Sequence, residues 1–136
     1  MKAIVSLGSN IEPRLEYLDR AIAAMSGFPE TELLCKSSVR ETEPIGVPAE
    51  FSERKFLNQI AVFESGLEVH DFSRRMHSVE DELGRIRTIR NGPRTIDLDL
   101  ISYGDLELSE PELTLPHPRA AERDFVTIPL KELGEI

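Results

Sequence analysis

The stretch "NGPRTIDLDLISYG", residues 91–104, carries two acids inside an otherwise apolar run. Side chains alternate between the two faces of a β-strand, so Asp97 and Asp99 share one face and lie roughly 7 Å apart along the strand. Ile96, Leu98 and Leu100 take the opposite face, where we expect them to pack against helices. The stretch therefore predicts a strand in a sheet that has one helix-covered face and one open face bearing both carboxylates.

The acid pair has two interpretations. Neighbouring carboxylates repel each other, and without a ligand this repulsion should raise the pKa of at least one of them. Paired oxygen ligands suit a hard cation such as Mg²⁺, which usually keeps waters and substrate phosphates as its other ligands. The alternative is two solvated acids on an exposed sheet face. The D-x-D spacing alone does not separate the two.

Four arginines precede this strand in a segment that contains no acid: Arg85, Arg87, Arg90 and Arg94. The guanidinium fork binds phosphate oxygens in pairs, so arginines beside two carboxylates fit a site for a metal-bound nucleotide. The alternative is a solvated basic loop balanced by the acids at 80–82. No G-x-x-x-x-G-K-[ST] loop occurs, so a P-loop enzyme is not expected.

Hydrophobic periodicity predicts the other elements. Strands are expected at 2–8, 33–42 and 56–65. Two amphipathic helices are expected, with apolar faces from Leu15 to Met25 and from Val69 to Leu83. A long charged loop covers 43–55, and a short "LELS" arm follows the turn at 104–105. The tail from 115 is expected to contain a short helix and a final short strand.

The order β-α-β-β-α-β predicts an α+β fold, a ferredoxin-like βαββαβ sandwich. It has a mostly antiparallel sheet, helices on one face and an open ligand-binding face. We expect a single domain over residues 1–136. The net charge of -9 argues against a generic binder of nucleic acid or of anionic membranes. With one cysteine and no apolar run of membrane-spanning length, we expect a cytoplasmic protein with no obligate protein partner.

Several other side chains could belong to a site. His117 lies between two prolines that restrict the backbone, and Arg123 and Phe125 follow it. Phe56 and Asn58 share one face of a strand, where a ring and an amide could bind a flat heterocycle. The alternatives are a surface histidine, core packing for both phenylalanines and a turn or edge hydrogen bond for Asn58. Two further candidates are set aside: Cys35 is expected to be a small buried side chain, and His70 with His77 lacks a third metal ligand.

Five segments occur in order along nearly the whole chain: "SLGSN", "ETEPIG", "FLN", "GPRTIDLDLISYG" and "LPHPRAAERDFV". Together they resemble the 6-hydroxymethyl-7,8-dihydropterin pyrophosphokinase family, and the last two are the most specific. The resemblance implies a folate-pathway enzyme that transfers pyrophosphate from ATP to the hydroxymethyl group of the pterin and releases AMP. The sequence departs from the family at Asn91, where tryptophan is common, and at Phe56, where tyrosine is common.

The resemblance also implies a role for each matching residue. Asp97 and Asp99 match the aspartates that hold two Mg²⁺ ions, and with Arg85 and Arg94 they form the expected catalytic set. The implied ATP-binding residues are His77, Glu80, Arg85, Arg94, His117 and Arg123. The implied pterin-binding residues are Thr42, Pro44, Ile45, Phe56, Asn58 and Phe125.

The expected mechanism depends on positioning and electrostatics, because no side chain is an obvious strong general base. The loops at 43–55 and 84–94 are expected to close over ATP and exclude water. Two other functions stay open: a binding module that senses nucleotide or pterin without catalysis, and a metal-dependent phosphohydrolase. AMP and pterin diphosphate as products would distinguish the transferase from the hydrolase, and ATP binding without turnover would indicate the module.

Overall fold

The structure is a computed structural model that describes residues 1–43, 55–84 and 95–136. The predicted roles of Pro44, Ile45, Arg85 and Arg94 lie outside these residues, as does most of the expected loop closure. None of the helices within the described ranges combines the length and the hydropathy that a membrane span requires.

The described elements contain the predicted β-α-β-β-α-β order, together with three short strands, a 3₁₀ helix at Ala120–Glu122 and a short helix in the tail. They are β1 Lys2–Ser9, α1 Arg14–Ser26, β2 Thr31–Lys36, β3 Arg40–Thr42, β4 Phe56–Ser65, α2 Val69–Glu82, β5 Asp97–Tyr103, β6 Leu108–Ser109, β7 Thr114–Leu115 and α3 Asp124–Glu132. Gly84 follows α2 with φ +85° and Gly104 follows β5 with φ +58°, a backbone conformation that glycine adopts at no steric cost. Gly104 therefore lies in the turn that the sequence predicts at 104–105.

The main sheet has the strand order β2-β4-β1-β5, and β3 pairs with β4 next to β2. Every pairing described in it is antiparallel. The single strand predicted at 33–42 is therefore wrong, since two strands occupy this segment. The break falls at Ser37, whose carbonyl accepts a 2.8 Å hydrogen bond from Gln59 Nε2 and whose Oγ accepts one from Ile60 N at 2.9 Å.

The main core lies between one face of the sheet and the helices α1 and α2. Ile96, Leu98 and Leu100 are buried in it, which confirms the inner face predicted for β5. Phe72 of α2 lies in the middle of this core and packs against three other aromatic rings, those of Phe28, Phe63 and Tyr103. The helix pattern fails at Leu15, which is 52% exposed, because α1 buries Leu18, Ala21, Ile22 and Met25 instead.

The other face of the sheet is open only in part. α3 packs its buried residues Val126 and Leu130 against Ile4, Ile60, Val62 and Ile101, which form a second apolar cluster. The expectation of a wholly open face is wrong for this reason, and so is the final strand predicted in the tail. At the other end of this face, β1 continues with Ser6 and Gly8 beside the two acids of β5.

A hairpin of β6 and β7 lies beside the start of α2 and is held there by His70. The His70 Nδ1 atom is 2.7 Å from Glu68 Oε2, and Nε2 is 2.5 Å from Glu110 Oε1 in the hairpin turn. Hydrogen bonding to Glu110, and then to Glu68, raises the pKa of the His70 imidazole. The protonated ring therefore ties the β6–β7 hairpin to α2.

We expect His70→Gln to destabilise the protein at pH 6 and to have little effect at pH 9. A histidine whose pKa is raised by folding contributes all of its stability below its ordinary pKa of about 6.5. That contribution is lost as pH rises through the folded-state pKa. Urea unfolding of both proteins at pH 6, 7.5 and 9 measures the difference. Glu110→Gln should reproduce the pattern, and a difference that does not change with pH would contradict it.

Candidate active site

The open part of the sheet brings together residues from three strands in one row. Gly8 of β1 lies opposite Asn58 of β4 on one side and opposite Asp97 of β5 on the other. Directly paired residues on neighbouring strands point to the same face, and the strands are about 4.8 Å apart. The Cα atoms of Asn58 and Asp97 are therefore roughly 10 Å apart, and Gly8 between them has no side chain.

The Asn58 end of this row is enclosed by Phe56 and Thr42. A Cβ atom placed on Gly8 would lie 3.1 Å from Asn58 Oδ1 and 3.4 Å from Phe56 Cδ1, so both side chains lie over the glycine. Asn58 Nδ2 donates a hydrogen bond to Thr42 Oγ1. This bond fixes the buried amide with its oxygen over Gly8, where it can accept from a ligand N–H group.

The Asp97 end of the row carries the negative charge. Asp97 and Asp99 are both partly buried at the start of β5, and Asp99 lies opposite Ser6. Burial raises the pKa of the Asp99 carboxyl and the charge of Asp97 raises it further, whereas His117 and Arg123 lower it. The direction of this pKa shift agrees with the repulsion expected between the two acids, and a cation bound at the pair would be stabilised.

His117 is fixed beside β5 by two backbone contacts. Its N–H donates to the carbonyl of Ile101 at 2.8 Å, and its Nδ1 accepts from the N–H of Arg119 at 3.3 Å. Because Nδ1 accepts, the neutral ring carries its proton on Nε2 and can donate to an anion. Burial lowers the pKa of His117, and the charge of Asp99 opposes this shift.

Arg123 and Phe125 lie together at the start of α3. The guanidinium carbon of Arg123 is 5.6 Å from the centre of the Phe125 ring, within the range of a cation–π contact. Phe125 is partly buried against the second apolar cluster. Arg123, which is predicted to bind phosphate, therefore contacts Phe125, which is predicted to bind the heterocycle.

A cleft of about 210 Å³ runs along the outer edge of β5. His77 of α2, Asp99, His117, and Glu112 and Thr114 around β7 contribute to its wall. The cleft thus contains two of the residues that lie at the acidic end of the row. His77 is exposed, and its Nδ1 is 2.8 Å from Glu80 Oε1.

Glu80 is the most deeply buried of the predicted site residues within the described ranges, with a side chain that is 0% exposed. Its Oε2 accepts a 2.9 Å hydrogen bond from the N–H of Leu98, which lies between the two aspartates. The Glu80 carboxylate is therefore hydrogen-bonded to His77 in the cleft wall and to Leu98 on β5, the strand that carries Asp97 and Asp99.

Sequence reasoning alone identified neither the role of Gly8 nor the contributions of Glu112 and Thr114 to the cleft. Gly8 falls inside the "SLGSN" segment, but its position between Asn58 and Asp97 depends on the pairing of strands far apart in the chain. The signal available was the glycine itself, since an interior strand glycine often marks a close approach of a ligand.

The donor chemistry fits a cation that keeps other ligands. In the described ranges no group of three or more His, Cys, Asp and Glu side chains is placed to hold a metal ion. Asp97 and Asp99 supply two carboxylates, which suits Mg²⁺ because this ion usually binds one or two carboxylates together with water and substrate phosphates.

Comparison with known proteins agrees with the resemblance. A sequence model described as 7,8-dihydro-6-hydroxymethylpterin-pyrophosphokinase matches residues 4–135. The 2-amino-4-hydroxy-6-hydroxymethyldihydropteridine pyrophosphokinase of Bacillus subtilis is 36% identical over 131 residues, which are 96% of this chain and 77% of the relative. The proteins of the same name from Pseudomonas aeruginosa and Synechocystis sp. are 36% and 37% identical. They match 98% and 97% of this chain and 80% and 66% of their own lengths.

Proposed function

This chain belongs to the 7,8-dihydro-6-hydroxymethylpterin-pyrophosphokinase family, and from that premise we propose which of its residues carry the reaction. The protein is a diphosphotransferase of folate biosynthesis that uses ATP as its co-substrate. The observation that carries the residue assignment is the row of Asn58, Gly8 and Asp97, which joins an amide-and-ring pocket to a carboxylate pair.

The pterin is assigned to the Asn58 end of the row. A flat ring system can lie over Gly8, which has no side chain to obstruct it, with Phe56 and Phe125 as the aromatic surfaces. Asn58 Oδ1 accepts from a ring N–H, and Thr42 holds the amide in that orientation. The pterin's hydroxymethyl group would then point towards Asp97. Ile45 and Pro44 keep their predicted place on the pterin side.

ATP is assigned to the cleft along β5, with its triphosphate at Asp97 and Asp99. We assign His117 Nε2 and the Arg123 guanidinium as donors to phosphate oxygens, and the electrostatic effect of both residues on Asp99 supports this assignment. His77 and Glu80 support the α2 wall, and Arg85 and Arg94 keep their predicted phosphate contacts. Asp97 and Asp99 would hold two Mg²⁺ ions, which offset phosphate charge and orient the reacting groups.

The chemistry follows from this placement. The hydroxymethyl oxygen attacks the β-phosphorus of ATP and forms a new P–O bond. The bond between that phosphorus and the α–β bridging oxygen breaks, AMP leaves with the bridging oxygen, and the hydroxyl proton is lost. The side chains contribute by aligning the two substrates and by stabilising charge on the transferred group, which are the main sources of rate in phosphoryl-type transfers.

Product analysis tests this function directly. The protein is mixed with ATP, Mg²⁺ and 6-hydroxymethyl-7,8-dihydropterin, and the nucleotides are separated. We expect AMP and pterin diphosphate in equal amounts, no AMP without pterin, and loss of both products when EDTA removes the metal. ADP with free phosphate would indicate a hydrolase, and bound ATP without turnover would indicate a binding module; either result would contradict the proposal.

Two finer points belong with this proposal. The order β2-β4-β1-β5, with α1 and α2 on one face, supports a ferredoxin-like arrangement of two interleaved β-α-β units. A cytoplasmic location is consistent with the use of ATP.

A further inference from the structure

Glu80 is the only Asp, Glu, Lys or Arg with a buried side chain in the part of the chain that the structure describes. A buried carboxylate is costly unless it is hydrogen-bonded or paired. Each Glu80 oxygen has such a contact, Oε2 with the N–H of Leu98 at 2.9 Å and Oε1 with His77 Nδ1 at 2.8 Å. The carboxylate is therefore fixed by two groups that belong to different walls of the candidate active site.

The Leu98 N–H group that Glu80 binds belongs to β5, the strand that carries both aspartates. Among the strands that the structure describes, β5 lies at the edge of the main sheet and pairs only with β1. An edge strand presents backbone N–H groups that have no neighbouring strand to accept them. Glu80 supplies the acceptor for the peptide N–H between Asp97 and Asp99. The side chain of α2 thereby limits how far this segment of β5 can twist or move outwards.

We propose that Glu80 is a positioning residue that sets the direction of both metal-binding carboxylates without touching the nucleotide. The inference rests on the proposed function, because it assigns the Mg²⁺-bound triphosphate to Asp97 and Asp99. Through its other oxygen Glu80 also orients His77 in the cleft wall. The Glu80 carboxylate therefore positions two parts of the ATP site, the metal-binding aspartates of β5 and His77 of α2.

The test compares three variants with the wild-type enzyme. Glu80→Ala removes the acceptor, whereas Glu80→Gln keeps an amide oxygen that can still accept from Leu98. Val79→Ala is the matched control. Val79 is the neighbouring residue on α2, it is buried in the main core, and its side chain cannot form a hydrogen bond. Glu80→Leu fills a similar volume without an acceptor and replaces the alanine variant if that variant does not fold.

We expect Glu80→Ala to raise KM for ATP and the half-saturating Mg²⁺ concentration by roughly 10- to 100-fold, the range found for groups that orient metal ligands. KM for the pterin should not change, because Asn58 and Phe56 lie on the far side of β1. Glu80→Gln should restore most of the loss. Val79→Ala should lower thermal stability and leave both constants at their wild-type values.

A binding measurement separates this inference from the proposed function. Titration with Mg²⁺ and α,β-methylene-ATP, whose bridging carbon replaces the oxygen at the bond that breaks, reports affinity without turnover. Weaker binding by Glu80→Ala than by Val79→Ala supports the positioning role even if the wild type fails to make AMP. If Glu80→Ala and Val79→Ala both bind this ligand as tightly as the wild type, the inference is wrong although the enzyme is active. It is also wrong if Glu80→Gln binds the ligand as weakly as Glu80→Ala.

Discussion

Asp99→Asn is expected to reduce the rate of AMP formation by roughly 10²–10³-fold or more, while the protein stays as stable as the wild type or becomes more stable. Removing one group that stabilises charge in the transition state has effects of this size. The stability change has the opposite sign because folding raises the pKa of Asp99, chiefly through burial and next through the charge of Asp97. The ionised carboxylate therefore destabilises the ligand-free fold, and asparagine removes that charge.

The stability difference between Asp99→Asn and the wild type depends on pH. For an acid with a raised folded-state pKa, the cost is absent well below the ordinary pKa of about 3.9 and is reached as pH rises through the folded-state pKa. Melting temperatures without Mg²⁺ at pH 4 and pH 7.5, together with the product assay, measure both quantities. Asp105→Asn, an exposed acid after the same strand, is the control and should change neither. Retained activity in Asp99→Asn would contradict the metal assignment.

Phe72→Ala is expected to lower the free energy of unfolding by about 3–5 kcal/mol. Phe72 is fully buried, and its ring centre lies 5.6 Å from the ring centres of both Phe28 and Tyr103. Truncation removes these contacts and leaves a cavity that close-packed neighbours cannot fill. Such a loss is a large share of the roughly 5–15 kcal/mol that stabilises a typical domain. Urea unfolding followed by circular dichroism gives the value.

Leu15→Ala is the matched comparison, because the sequence pattern placed Leu15 on a buried helix face just as it placed Phe72. Leu15 is 52% exposed, so its truncation should change stability by only about 0.5 kcal/mol. Equal losses for the two variants would mean that the packing of α1 and α2 on the sheet differs from the one described.

The amphipathic elements could be predicted from the sequence because their periodicity reflects one face packed on one core. The alternation in β5 identified Leu98 and Leu100 as inner residues and the two acids as outer ones. The sequence also predicts a short helix in the tail, but periodicity does not show where α3 begins and ends. Its segment contains the β-branched residues Val126, Thr127 and Ile128, which favour extended structure, and Pro129, which is unfavourable inside a helix. The helix forms because Val126 and Leu130 then share one face that covers the second apolar cluster, so tertiary packing outweighs local propensity.

The candidate site shows the same division between local and long-range information. Asp97, Asp99 and the His117 segment could be singled out because their residue types and spacing are visible locally. The row of Asn58, Gly8 and Asp97 could not, since it depends on the register of three strands. The hydrogen bond from Leu98 to Glu80 depends on how α2 packs beside β5, and periodicity places a helix on a face without specifying which side chain meets which peptide group.

The central position of β1 has a consequence for how the enzyme is made. β1 is synthesised before both of its partner strands, since it pairs Lys2 with Glu64 and Ala3 with Tyr103. During synthesis this apolar strand therefore has neither of its partners until β4 and then β5 have followed it. Such distant pairings also slow folding. A nascent chain therefore cannot bind its substrates before β5 is made, and β1 is the segment that we expect molecular chaperones to shield until then.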